Sequence, residues 1–146
     1  MKKSVVLFSV LLISIFSFSQ EYKVVTIVES IVPMGLGRSR IIENRTEQDV
    51  SALTTERTDG KTSEQGKVSR NDVKVDEFVE TKLLNFYSAV GINFQNIASN
   101  DAVITAKINE LAKDGWKLTF VTSGVESDAG EKDGAGIFIT RLFFTR

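Results

Sequence analysis

The 146-residue sequence contains neither cysteine nor histidine. The absence of cysteine excludes disulfide bonds and thiolate nucleophiles, and the absence of histidine removes the side chain that most often acts as a general base. Thiolate and imidazole metal sites are excluded as well. Any metal would have to be a hard cation bound by oxygen ligands, and acid–base chemistry would fall to carboxylates, lysine or tyrosine. We predict no cofactor and no metal site.

The sequence also lacks a strong charge of either sign. Its 18 Lys and Arg residues nearly balance 19 Asp and Glu residues, which gives a net charge of −1. Proteins that bind nucleic acid through the phosphate backbone need a basic excess, and this chain has none. We therefore predict no nucleic-acid partner and no polybasic membrane contact.

The apolar run near the N-terminus, residues 5–16, is shorter than the ~20 residues that a membrane-spanning helix needs. Two lysines precede it, and small residues follow at Ser17 and Ser19. This three-part layout predicts a secretory signal peptide, residues 1–19, although a membrane anchor is the alternative. The mature protein, residues 20–146, would then be a single domain without a membrane span, located in the periplasm or outside the cell.

Four β-like segments surround one predicted helix. Residues 22–28 are rich in β-branched and aromatic side chains, and residues 38–43 follow as a return strand. Residues 116–122 and 137–146 predict a C-terminal hairpin. We expect an α+β fold of three to five mostly antiparallel strands packed against one main helix, at about residues 100–114.

The ends of the helix carry specific signals. Ser99, Asn100 and Asp101 provide cap residues and an early acidic charge, which predict its start. Gly115 predicts a left-handed end, after which Trp116 would contact Leu111 in a Schellman motif. We therefore interpret the single tryptophan as a structural latch rather than a ligand platform.

Two segments are less regular. Residues 44–72 are polar and rich in charge, which predicts a solvated excursion that has at most a short strand. Residues 78–97 are aromatic and apolar, and within them residues 83–90 predict a strand or, alternatively, a short helix.

The first and last strands are apolar on both faces, so the face of the sheet away from the helix needs a cover. We expect residues 78–97 to cover it, and a homodimer is the alternative.

Three elements resemble a small bacterial family of unknown function. They are a first strand with Tyr22-Lys23-Val24-Val25, a helix end with Ile108-Asn109-Glu110-Leu111 and Gly115-Trp116-Lys117-Leu118, and the strand from Ile137. The resemblance covers about half of the mature chain and leaves residues 29–98 unexplained. It implies no activity and no site residues.

The tripeptide Val-Glu-Ser occurs twice, at residues 28–30 and 125–127, and a Gly-x-Gly turn follows each copy. If the first strand and the strand from Trp116 run parallel, both tips lie at one end of the sheet. Binding residues often lie on such loops, and arginines there would suit an anionic ligand. The predicted ligand-binding residues are Glu29, Arg38, Arg40, Glu126 and Asp128.

Catalytic and nucleotide-binding interpretations have little support. Residues 35–40 lack the third glycine and the following helix of a dinucleotide fingerprint, and the acidic tip lacks the spacing of an EF-hand. The leading hypothesis is therefore a non-catalytic binding or interaction module of the bacterial cell envelope, with an unknown envelope or extracellular ligand. The alternatives are a small carboxylate-based hydrolase and a self-associating structural protein.

Overall fold

The computed structural model describes residues 20–30, 39–88, 90–126 and 136–146, without the side chains of Ser88 and Glu126. Five strands form one antiparallel sheet, and two short strands form a separate hairpin. The strands are β1 (Tyr22–Ser30), β2 (Arg40–Asn44), β3 (Phe78–Lys82), β4 (Tyr87–Ser88), β5 (Gly91–Ile92), β6 (Lys117–Glu126) and β7 (Ile137–Thr145). The helices are α1 (Val50–Leu53), α2 (Arg70–Val73) and α3 (Phe94–Lys113), with a 3₁₀ turn at Gln65–Lys67. The predicted signal peptide lies outside the described residues.

The strand order is β3-β2-β1-β7-β6, and the last two strands form the predicted C-terminal hairpin. Because β7 is antiparallel to both β1 and β6, the strands β1 and β6 run parallel. The register pairs Ile137 with Ser30 on one side and with Glu126 on the other. Both Val-Glu-Ser strands therefore end at the same end of the sheet, which we call the tip end.

The helix α3 begins earlier than its sequence signals suggested. Asn93 is the N-cap, and its side chain accepts a hydrogen bond from the backbone N–H of Asn96 at 3.2 Å. The expected cap residue, Asn100, lies instead in the second turn and is buried. The segment contains several residues of cap type, and the first of them starts the helix.

The helix ends as predicted. Gly115 has φ +85°, and its N–H donates to the carbonyl of Ala112 at 3.1 Å. The N–H of Trp116 donates to the carbonyl of Leu111 at 3.0 Å, which completes a Schellman motif. Trp116 packs against the core, and the cationic groups of Lys23 and Arg146 lie 5.1 and 4.5 Å from its ring centre. The tryptophan is thus a latch between α3 and β6.

The core lies between α3 and one face of the sheet, which we call the helix face. Its buried apolar side chains come from three neighbouring strands, the connection after β3 and the helix. They are Val25, Ile27, Ile41, Leu83, Leu111, Leu142 and Phe144. In the part of the chain that the structure describes, no helix is both long and apolar enough to cross a membrane.

Residues 45–77 connect β2 to β3 at the end of the sheet opposite the tips, where Asn44 pairs with Phe78. This polar excursion contains short helical turns in place of the short strand considered above. Asp59 organises one turn, because its carboxylate accepts hydrogen bonds from the N–H groups of Lys61 and Thr62 and from the Thr62 hydroxyl. These bonds lower the pKa of Asp59 to about 2.

The predicted strand over residues 83–90 is wrong in its extent. The alternating segment Phe78–Lys82 forms β3 instead, and only Tyr87–Ser88 forms a strand within the predicted range. Residues 83–86 cross to the helix face, where Leu83 is buried in the core. Aromatic content alone did not distinguish a strand from a packed connection.

The segment 78–97 does not cover the second face of the sheet, which was our expectation. Its first part joins the sheet as the edge strand β3, and its later part lies on the helix side. Val24 and Phe120 on the second face are 41% and 62% exposed. We call this second face the open face.

Candidate functional site: a cleft at the tip end of the helix face

The predicted site residues are only partly described. Arg38 and Asp128 lie outside the described residues, and Glu126 is described only as the last backbone position of β6. Glu29, Arg40 and the Glu126 backbone all lie at the tip end, as the register of β1, β2, β6 and β7 requires.

The structure separates Glu29 from Arg40. Glu29 lies on the helix face with Val25 and Ile27, whereas Arg40 is paired with Val28 on the open face. Arg40 forms an ion pair with Glu80 of β3. Glu29 and Arg40 therefore do not share one surface of the sheet.

Asn100 of α3 positions Glu29. Its amide nitrogen donates to Glu29 Oε1 at 3.1 Å and to the carbonyl of Leu84 at 2.7 Å. Its amide oxygen accepts from the N–H of Leu84 at 2.8 Å. Asn100 is only 1% exposed, so this one side chain joins β1, α3 and the connection after β3 in a buried site.

Two more contacts hold that connection in place. Asn96 donates its amide N–H to the carbonyl of Asn85 at 2.7 Å, and the hydroxyl of Ser39 donates to the Asn85 side chain at 2.7 Å. The next residue, Phe86, packs its ring 5.6 Å from that of Phe138 on β7. The sequence thus places an aromatic side chain at the tip end of the helix face by means of amide clamps.

A cleft of about 250 Å³ lies between these elements. Strands β1, β6 and β7, the start of α3 and the connection after β3 all contribute to its lining. The lining residues are Glu29, Phe86, Ile97, Asp101, Ser123, Phe138 and Thr140. We call this the tip-end cleft.

The tip-end cleft combines three kinds of surface. Glu29 and Asp101 contribute carboxylates, while Ser123 and Thr140 contribute hydroxyls whose oxygens lie 2.8 Å apart. The remaining lining is aromatic or aliphatic, and no basic residue is among the described lining residues. A site of this composition complements a cation or a group that donates hydrogen bonds.

Sequence reasoning identified Glu29 but missed Asn100, Asp101 and the two phenylalanines as parts of the site. One signal was available for Asn100. It lies on the same helical stripe as Ile97 and Ile104, and a polar residue on a buried stripe must find partners within the protein. No comparable signal predicted that Phe86 would leave the sheet.

The opposite end of the helix face holds a different polar group, which we call the Glu43 cluster. Glu43 of β2 lies 2.9 Å from Lys23 Nζ and 3.3 Å from Lys107 Nζ. The side chains of Glu43 and Lys107 are each 12% exposed. Burial opposes ionisation, but the hydrogen bonds and charges of the two lysines outweigh it, and the pKa of Glu43 is lowered from 4.5.

Lys107 also contacts Glu110 at 3.1 Å. Burial would lower the pKa of Lys107, but hydrogen bonds from its ammonium to Glu110 and Glu43 raise it above 10.5. In the described residues, no group of three or more carboxylates is placed to hold a metal ion.

Comparison with known protein families, curated proteins and solved structures gave no match. The resemblance of the first strand, helix end and C-terminal hairpin to a small bacterial family therefore stays a prediction.

Proposed function

We propose that this protein is an exported, non-catalytic binding module and that its tip-end cleft takes a small organic cation, such as an amine or a quaternary ammonium compound. The observation that carries the proposal is the composition of the cleft. It places two carboxylates beside two aromatic rings and two hydroxyls without a basic side chain among its described lining residues.

Each part of the cleft has a role in this proposal. Glu29 supplies a negative charge at a fixed position, because Asn100 holds one of its oxygens. Phe86 and Phe138 supply ring faces, which attract cations electrostatically. The hydroxyl pair of Ser123 and Thr140 can accept hydrogen bonds from an ammonium group.

The volume of the cleft limits the size of the ligand. About 250 Å³ is slightly below the range of ~300–1,000 Å³ that is typical of sites for drug-sized molecules. A ligand with a handful of non-hydrogen atoms therefore suits it better than an oligosaccharide or a peptide.

A panel of probes tests the ligand class. Tetramethylammonium, butylamine and spermidine would be titrated by calorimetry, with acetate, phosphate and glucose as the anionic and neutral counterparts. We expect binding by at least one cation and no binding by the anions. The proposal fails if anions bind or if no cation binds at 10 mM.

Paired variants locate the binding. Glu29→Gln keeps the shape of the side chain and removes its charge, so we expect the affinity for the cation to fall by about tenfold or more, which is ~1.4 kcal/mol. Glu56→Gln, at an exposed position of the polar excursion, is the matched control and should bind as the wild type does. Equal affinity of the Glu29→Gln variant would remove the tip-end cleft as the site.

The export part of the proposal rests on the layout of residues 1–19. Mass spectrometry of the protein recovered after export should give a chain that begins at Gln20. A chain that retains residues 1–19 in the membrane fraction would support the anchor alternative instead.

The alternative function, a carboxylate-based hydrolase, has one point in its favour, because Glu29 and Asp101 line one cleft. It requires turnover of a glycoside or ester that Glu29→Gln or Asp101→Asn abolishes. Binding without turnover across a broad substrate panel favours the binding module.

A further inference from the structure

Two strands, β3 and β6, form the edges of the sheet, and they differ in how well they are protected against pairing with another strand. β3 has five residues, and two of them, Glu80 and Lys82, are charged and exposed. β6 has ten residues, and its charged residues, Lys117 and Glu126, stand only at its two ends. Because edge strands avoid unwanted pairing by short length and by charge, β6 lacks the protection that β3 has.

The central part of β6 is uncharged and exposed. Residues 118–125 contain neither a charge nor a proline. Phe120 is 62% exposed on the open face, and Val121 and Val125 are 47% and 59% exposed on the helix face. In the part of the chain that the structure describes, no strand pairs with the outer edge of β6. Alternate residues of that edge therefore direct a backbone N–H and a carbonyl away from β7.

A bulge makes β6 symmetric about Thr122. The register with β7 passes from Leu118 directly to Phe120, so Thr119 is the extra residue and nine paired positions remain. Thr122 is the fifth of these nine positions. An antiparallel copy of β6 centred on Thr122 can therefore pair along the whole strand, and residues that face each other lie on the same face of the sheet.

The residues that face each other in this register are compatible. Opposite charges meet at both ends, and the pair next to each end is apolar. Near the centre a phenylalanine faces a glycine, whose backbone an aromatic ring can cover. A Cβ at Gly124 would meet no described atom within 4 Å, so there is space for that ring. The facing pairs are Lys117 with Glu126, Leu118 with Val125, Phe120 with Gly124, Val121 with Ser123, and Thr122 with itself.

Other antiparallel registers fit less well. A shift by one paired position would place facing side chains on opposite faces of the sheet. A shift by two leaves two positions of each strand unpaired, and it places Phe120 opposite Glu126 or Lys117 opposite Gly124. The edge is thus complementary to itself in one register, as an isologous contact requires.

We propose that the outer edge of β6 pairs antiparallel with β6 of a second copy of this chain, in a dimer whose two-fold axis passes between the two Thr122 residues. The two five-stranded sheets then form one sheet of ten strands, with both α3 helices on the same face. Nine paired positions supply about eight to ten backbone hydrogen bonds, which is comparable with the roughly ten of a typical protein interface.

Sedimentation equilibrium of residues 20–146, the predicted mature form that contains every described element, tests the proposal between about 1 and 100 µM. We expect a reversible dimer in the absence of any cation. A wild-type protein that stays monomeric at 100 µM overturns the proposal. Because no ligand is present, the result is independent of binding in the tip-end cleft.

A charge at the centre of the edge tests the site of contact. Thr122→Glu places a carboxylate beside Arg141, its neighbour on β7 within one copy, but opposite the same negative charge of the partner copy. We expect the dimer to weaken by at least tenfold. Thr58→Glu, the same change at an exposed position of the polar excursion, is the control and should dimerise as the wild type does. Unchanged dimerisation of Thr122→Glu would overturn the contact through β6.

A mixture of two variants tests the register. Thr122→Lys alone should also weaken the dimer, whereas an equal mixture of Thr122→Lys and Thr122→Glu should recover most of the affinity as a heterodimer. Opposite charges then meet at the axis, which happens only if residue 122 faces itself. Thr122 is exposed, and circular dichroism confirms that both variants are folded. A mixture that recovers no affinity overturns the axis at Thr122 and with it the proposed dimer.

Discussion

Two carboxylates of the helix face, Glu43 and Glu29, lie at opposite ends of the same sheet and have opposite surroundings. Glu43 lies between two ammonium groups at 2.9 and 3.3 Å. Glu29 receives one hydrogen bond from the neutral amide of Asn100 and borders a cleft. Among the described residues, no lysine or arginine forms an ion pair with Glu29.

The comparison distinguishes a structural carboxylate, Glu43, from the carboxylate that we propose binds a ligand, Glu29. The charge of Glu43 is neutralised within the fold, and its two lysines connect it to Trp116 and to α3. The charge of Glu29 is held in position by Asn100 and has no ion-pair partner among the described residues. A carboxylate in that state can still attract a cation from solution, which is the physical basis of the proposed function.

The largest loss of stability is expected for Asn100 of α3, whose side chain holds both Leu84 and Glu29. Asn100→Leu removes the partners of both the N–H and the carbonyl of Leu84 at a buried site, and each unsatisfied group costs ~1–3 kcal/mol. We expect the free energy of unfolding to fall by about 3 to 4 kcal/mol in urea denaturation. Asn109→Leu, on an exposed face of α3, is the control and should change stability by less than about 0.5 kcal/mol.

If Asn100→Leu matches its control, the amide clamp is not what fixes Glu29. Glu29 would then be no more constrained than a surface carboxylate, and the contrast with Glu43 would not hold.

The next prediction tests the end of the sheet that holds Trp116 and the Glu43 cluster. Trp116→Ala removes a ring that packs on the core between two cationic groups, and we expect a loss of about 3 kcal/mol in the free energy of unfolding. Phe94→Ala, at a 78% exposed position, is the control for the loss of an aromatic ring. A loss below about 1 kcal/mol for Trp116→Ala would show that the ring is not a latch.

The two carboxylates can be compared directly. Glu43→Gln leaves two lysines without their shared counter-ion in a mostly buried site, so we expect stability to fall by about 2 kcal/mol at pH 7. Glu29→Gln leaves no described ammonium group unpaired and should cost less than about 0.5 kcal/mol. Equal costs for the two variants would contradict the distinction between a structural and a binding carboxylate.

The pH dependence of the same pair carries a definite sign. The pKa of Glu43 is lowered from 4.5 in the folded protein, so its contribution is complete above pH 4.5 and is lost as the pH falls through the folded pKa. The stability difference between the wild type and Glu43→Gln should therefore shrink as the pH falls below 4.5. Urea denaturation at pH 7, 5, 4 and 3 measures it, and a difference that grows on acidification would contradict the assignment.

The sequence predicted the fold where a local pattern determines the structure. The helix end is the best example, because glycine at a left-handed position and the spacing from Leu111 to Trp116 are local features. This prediction is confirmed. The parallel relation of β1 and β6, which the sequence left as a condition for the two tips to lie together, is also present in the sheet.

The predictions that were wrong concern residues whose structure is decided by tertiary packing. Asn100 has the properties of a cap residue, but it is buried and its side chain binds the backbone of Leu84. Asn93 caps the helix instead. The apolar pattern of residues 78–97 suggested a cover for the sheet, but residues 78–82 joined the sheet as β3, Leu83 entered the core, and residues 94–97 began α3. The tip-end cleft was therefore only partly predictable, since residues distant in sequence build its walls.

The smallest effect is expected at Gly115, in the turn between α3 and Trp116. Gly115 has φ +85°, where a side chain costs ~1–2 kcal/mol, and a Cβ there would meet Arg146 Cδ at an ordinary contact distance of 3.6 Å. Gly115→Ala should therefore lower the free energy of unfolding by about 1 kcal/mol through the backbone alone. Gly66→Ala has open space and no positive φ, so it is the control and should be close to neutral. Because the change is confined to the Trp116 end, cation binding in the tip-end cleft should be unchanged, and a Gly115→Ala variant that loses binding would mean that the two ends are not independent.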